Sequence, residues 1–180
     1  MALKYSLNDI PAIHGRQVFF DANVLIYNFW PSGAYPWETN YSRALAELMR
    51  QHNELIVDFM VISETVNRAH RLEYDKFLTS NHMTKTDTSY KQYRNGLDGQ
   101  GALYDIYSMV ETNILNHFTV VGKAFSKEDI QSFLVVDPID FNDKGILMTC
   151  QENNFVLLTN DSDFKAANID ILSSNPAILR

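Results

Sequence analysis

Apolar positions along the chain fall into segments of two different periods. Gln17-Val18-Phe19-Phe20-Asp21 is a short run of β-branched and aromatic residues closed by an acid, and it reads as a buried strand with Asp21 at its C-terminal end. After Asn23-Val24-Leu25-Ile26, the stretch Asn28 to Asn40 contains Pro31, Gly33 and Pro36 and predicts a loop. Ser42 to Gln51 carries Ala44, Leu45, Leu48 and Met49 at helical spacing, and Glu54 to Asp58 reads as a second strand. Val61, Val66, Ala69 and Leu72 repeat at helical period between Val61 and Phe77, which predicts a helix beginning near Ile62. Residues 78–100 are polar and weakly periodic, and a helix resumes from Leu103 to Phe118 before a short strand, Thr119-Val120-Val121. Ser126-Lys127-Glu128-Asp129 is a capping box opening another helix. The last third predicts a helix over Asn142–Glu152, a strand over Phe155–Thr159, a turn or short helix after Asp161, and a strand over Ile169–Leu172.

Strands alternating with helices imply an α/β fold, a mainly parallel sheet with helices on both faces. In such folds functional groups collect beyond the carboxyl ends of the strands, which singles out Asp21 and Asp161. With 180 residues, 46% of them hydrophobic, and no repeat or linker, a single domain over residues 1–180 is expected.

Charge and cysteine content narrow the classes. The net charge is −7, from 15 Lys and Arg against 22 Asp and Glu, which argues against a broad basic nucleic-acid surface. It leaves open a metal-dependent site, which is itself rich in carboxylates. The one cysteine, Cys150, has no internal disulfide partner and reads as core. No N-terminal apolar run of secretory type and no segment of the length that spans a bilayer is present, so a cytoplasmic protein is expected. The five histidines lack metal-ligand spacing, and neither a Gly-rich phosphate loop nor a Gly-x-Ser-x-Gly elbow occurs.

Four acids stand at junctions between elements: Asp21 after the first strand, Glu64 in the first turn of a helix, Asp143 in the first turn of another, and Asp161 after a late strand. Carboxylates converging on one cleft suit Mg²⁺ or Mn²⁺, which take hard oxygen ligands, better than zinc. Asp143 also lies three residues after Asp140, a spacing that fits an N-cap and its third helical position. Glu64, Arg68 and Arg71 share one helix face, where the arginines could meet a substrate phosphate or pair with Glu73 or Asp75. Tyr27, Phe29, Trp30, Tyr35 and Trp37 form an aromatic-rich stretch that could stack bases or simply pack.

These residues meet a family pattern. Phe19-Phe20-Asp21-Ala22-Asn23-Val24-Leu25-Ile26 resembles the opening strand of PIN-domain nucleases, and Val61-Ile62-Ser63-Glu64 resembles their second acidic motif. The unbroken 22-residue block from Asp143 to Phe164 resembles the aspartate-headed helix, turn and strand that close in Thr-x-Asp-x-Asp-Phe. The resemblance implies a three-layer α/β/α sandwich and a Mg²⁺- or Mn²⁺-dependent endoribonuclease. It carries Asp21, Glu64, Asp143 and Asp161 over as catalytic metal-binding acids, with Asp163 as an auxiliary ligand. Asn23, Ser63 and Thr159 are then expected to orient the carboxylates, and Arg68 and Arg71 to bind substrate. The implied partners are single-stranded or structured RNA, a cognate antitoxin as in the toxin-type (VapC) members, and a second copy of the chain. Residues 78–120 exceed the corresponding part of those compact toxins and are expected to form a helical insertion at the rim of the cleft. A non-catalytic interaction module on the same fold and a structure-specific DNA nuclease are the rival readings.

Overall fold

Consecutive residues of a strand point to opposite faces of a sheet, so a strand buried at every position must be covered on both sides. Val18, Phe19 and Phe20 are completely buried, as are Val156, Leu157 and Leu158. The Phe19 ring stacks on Phe155 while its neighbour Phe20 meets Phe118 edge-on, as successive strand residues facing opposite sides of the sheet do. A sheet sandwiched between two helical layers follows from this pattern alone.

The computed structural model describes residues 2–33 and 35–180. In chain order its elements are β1 (Lys4–Ser6), a 3-10 segment (Leu7–Ile13), β2 (Gln17–Phe20), α1 (Ala22–Phe29), α2 (Trp37–Arg50), β3 (Glu54–Asp58) and α3 (Phe59–Ser80). There follow α4 (Tyr90–Asn95), α5 (Leu97–Met109) running into a π-helical turn (Val110–Leu115), β4 (Thr119–Val121), α6 (Lys127–Phe133), α7 (Phe141–Asn153), β5 (Val156–Leu158), a 3-10 turn (Ser162–Ala166) and β6 (Ile171–Ser173). The described strands pair in the order β1-β6-β5-β2-β3-β4, and every pairing is parallel. From β2 the chain builds outward through β3 to β4, then returns to the other flank of β2 with β5. The direction of winding therefore reverses between β2 and β5, and a crevice opens there beyond the strand ends.

Several boundaries differ from expectation. α1 continues to Phe29, where a loop is expected from Asn28, and β1 with the 3-10 segment after it precedes the first expected strand. α3 starts at Phe59, because the buried Asp58 carboxylate caps it by accepting the Val61 N–H at 2.8 Å. Glu64 consequently lies in the second turn of the helix rather than the first.

Residues 78–120 contain α4 and α5, which lean on α3 through the buried rings of Tyr74 and Tyr93. Ile106 of α5 packs on Ala69 of α3 and Ile26 of α1. The segment thus backs α3, and it contributes no residue to either of the pockets that flank Glu64 and Arg68. Among the described residues no helix is long and apolar enough to cross a membrane.

Candidate active site

At the end of β2, Asp21 takes the N-cap position of α1, but it caps through its backbone: its carbonyl accepts the N–H groups of Val24 and Leu25 at 3.0 and 3.2 Å, and the side chain makes no capping bond. The carboxylate is turned to other partners. Asp21 Oδ2 accepts the Thr159 hydroxyl at 2.6 Å and the Asn23 side-chain amide at 2.5 Å, all within buried surroundings. The same Thr159 oxygen accepts the Asp161 backbone N–H at 2.9 Å, and Asn23 Oδ1 accepts the Asn160 N–H at 3.2 Å. Thr159 and Asn23 therefore lock the end of β5, which presents Asp161, to the end of β2, which presents Asp21.

Asp161 caps the 3-10 turn, accepting the Asp163 N–H at 2.9 Å, and Asp163 itself is exposed. Asp143 occupies the third position of α7, with its N–H donated to the Asp140 carboxylate at 2.9 Å, so Asp140 is the cap and the Asp143 carboxylate is spared that role. Glu64 reaches the same region from α3 and pairs with Arg68 at 3.2 Å.

The electrostatics show that these acids share one field. Burial pushes the Asp21 carboxyl up to about 6, and the charges of Glu64 and Asp161 add to the effect while the Thr159 hydrogen bond opposes it. Burial likewise raises Asp143 to about 7, assisted by Asp140, Asp21, Asp161 and Glu64. Among the described residues no three Asp, Glu, His or Cys side chains are close enough to form a ready-made metal cage. The acids are gathered around the crevice without closing on a centre.

That arrangement suits a hydrated divalent cation. Mg²⁺ keeps several waters and needs only one or two direct carboxylates, with substrate oxygens supplying the rest. Burial is the larger cause of both raised carboxyls and the neighbouring acids add to it, a charge that a bound divalent cation would offset. The one sulfur nearby is no competitor, because burial and the charges of Asp58 and Asp21 push the Cys150 thiol up and keep it protonated.

Of the other expected site residues, Arg68 and Arg71 both line a cavity between α1, α2 and α3. The Arg71 guanidinium lies 4.7 Å over the Tyr90 ring. Neither arginine pairs with Glu73 or Asp75 in the described structure: Glu73 binds Lys76 and the Trp30 indole, and Asp75 lies 3.9 Å from Lys85. Ser63 lines a second pocket beside Glu64 and hydrogen-bonds to none of the acids.

One positioning residue escaped sequence reasoning. The fully buried Tyr41 of α2 sends its hydroxyl to Thr159 O at 3.1 Å and Asn160 Oδ1 at 3.0 Å and accepts the Ser174 N–H at 3.1 Å, so it fixes the exit of β5. The signal was its place in the stripe Tyr41, Ala44, Leu48, one residue before the expected start of that helix.

Comparison with known proteins agrees with this geometry. No curated protein shows a significant match to the chain. A solved structure, the crystal structure of VapBC2 from Rickettsia felis bound to a DNA fragment from their promoter, contains a chain that superposes with a TM-score of 0.50 at 15% identity, covering 87% of this chain and 98% of that one. At that identity the likeness speaks for the fold. The PIN domain family profile matches residues 18–169, a span that begins in the strand presenting Asp21 and runs past the turn presenting Asp161, and the chain therefore belongs to the PIN domain family of nucleases.

Proposed function

We propose that the chain is an endoribonuclease that hydrolyses phosphodiester bonds of single-stranded or structured RNA with the help of Mg²⁺ or Mn²⁺. The observation that supports this reading is the gathering of Asp21, Glu64, Asp143 and Asp161 near the winding reversal of the sheet, where their charges add to the burial that raises Asp21 and Asp143. When bound, the cation polarises the scissile phosphate and lowers the pKa of the attacking water. The chain's own residues do the placing. Thr159 and Asn23 hold the Asp21 carboxylate in one orientation, Asp140 spares Asp143 from capping, and Arg68 sets the Glu64 side chain. Asp163, exposed beside Asp161, is an auxiliary ligand in this reading.

A toxin–antitoxin setting, with a protein antitoxin as partner, is the biological context we propose. The support is the family together with the likeness to a chain of the R. felis VapBC2 assembly.

Asp21→Asn tests the chemistry, because an amide keeps the hydrogen-bonding shape and removes an anionic oxygen. The parent chain should cut RNA only with divalent cation and lose activity in EDTA, while Asp21→Asn melts as a folded protein and fails to cut at limiting Mg²⁺. Equal cleavage by the variant would show that the acids are not the site. Parallel assays on RNA, single-stranded DNA and DNA flaps decide the substrate.

A further inference from the structure

We propose that the cavity between α1, α2 and α3 seats one unpaired nucleobase of the substrate strand, next to the phosphate that is cut. The inference rests on the nuclease reading above and adds what that site recognises: a single strand with a base turned out of its stack.

The cavity has a volume of about 550 Å³, within the range of small-molecule sites and roomy enough for one splayed nucleotide. Its aromatic wall is built from Tyr35 and Trp37, whose rings stack with centroids 4.7 Å apart and planes 13° from parallel. Such a pair offers a flat face to a third ring, and every base has a π-face to place on it. Helix α3 contributes Arg68 and Arg71 to the lining, cations suited to a flanking phosphate, together with Asp75.

Before α2, buried Glu38 accepts the Ser32 and Gly33 N–H groups at 3.1 and 3.0 Å and the Ser32 hydroxyl at 2.9 Å, which ties Ser32 and Gly33 to the helix that carries Trp37.

Two links join the cavity to the acids. Arg68 bonds Glu64 at 3.2 Å, and Tyr27, another lining residue, has its hydroxyl 3.4 Å from the Asn160 amide, one residue before Asp161. A base seated on Trp37 therefore places an adjoining phosphate toward the carboxylates. The net charge of −7 points the same way, since a protein poor in phosphate contacts must draw affinity from stacking.

The test reads binding without cleavage. A labelled single-stranded RNA oligomer is titrated in EDTA at low ionic strength, and a single abasic nucleotide is walked along it. With the parent chain, one abasic position should weaken binding about tenfold or more while other positions change little. In Trp37→Ala the scan should be flat and match the weakened parent value. In Trp30→Phe, which leaves Trp37 as the only indole, the fluorescence should be quenched by the intact oligomer and not by the oligomer abasic at that position. This readout does not depend on Trp37→Ala folding. A flat scan with the parent chain, or equal scans for parent and Trp37→Ala, overturns the proposal and leaves the cavity to a protein partner. Because no divalent cation is present, these outcomes are independent of whether the chain cuts: cleavage with a flat scan removes the base site alone, and a peaked scan without cleavage removes the hydrolytic reading alone.

Discussion

Asp21 and Asp143 bind their protons more tightly in the folded chain than an unfolded one would, at about 6 and about 7 against an ordinary aspartate value near 3.9. Between those limits the native state carries more protons than the unfolded state, so stability falls as pH rises. The metal-free protein should accordingly melt higher at pH 5 than at pH 8, by several degrees at ~2–4 °C per kcal/mol for a chain of this size. Mn²⁺ should raise the melting temperature more at pH 8 than at pH 5, and Asp143→Asn should raise it at pH 8 without metal. Scanning fluorimetry across pH reads all three, and a melting temperature that climbs from pH 5 to 8 would contradict the shared field. Asp140→Asn acts on the same balance through its charge rather than through capping. Asparagine caps α7 as well as aspartate does, but the Asp140 charge is the largest one raising Asp143, and its removal lets that carboxyl fall. Asp21 and Asp161 were legible in the sequence because an acid closing an apolar run marks the end of a strand. Tyr41 was not, because an aromatic residue reads as packing until its hydroxyl is seen to tie two strand ends together.

Beside the apolar packing of α4 and α5 on α3, one buried imidazole ties all three helices by polar contacts. His70 places Nδ1 2.8 Å from the Tyr90 hydroxyl and Nε2 3.1 Å from the Gly99 carbonyl, so one side chain holds both helices. The close approach at Gly99 leaves no room for a side chain, since a Cβ there would collide with the Tyr93 carbonyl. Gly99→Ala should destabilise the chain by about 1–3 kcal/mol, read as an earlier urea midpoint with unchanged slope. Gly101→Ala, where a Cβ meets nothing within 4 Å, should be neutral or slightly stabilising in the same helix. Equal effects of the two substitutions would dissolve the clamp. Long periodic elements such as α3 and α7 were legible from spacing. β1 was not, because three half-buried residues carry no period, and α4 hides in a polar segment whose helical cue is a Ser89–Gln92 capping box.

Over the whole molecule, the alternation of strand and helix was enough to expect a parallel sheet covered on both faces. The strand order was not readable, because it depends on where β5 and β6 insert rather than on their own residues. The charge distribution makes a prediction at this scale. With Arg68 and Arg71 as the cations of the cavity, binding of single-stranded RNA should weaken with salt only shallowly, with a log–log slope of about −1 to −2. A slope of −4 or steeper would mean that a basic surface elsewhere carries the strand.

The insertion of β5 beside β2 also sets when the protein can first act. Thr159 and Asp21 are 138 positions apart, and every intervening residue is synthesised before they meet. Until then β2, β3 and β4 can pair, but β2 keeps an apolar open edge and Asp21 has no Thr159 to orient it. A nascent chain halted before Val156 therefore carries three of the four acids and no assembled centre. The acidic site therefore assembles only once β5 has been made and has inserted beside β2.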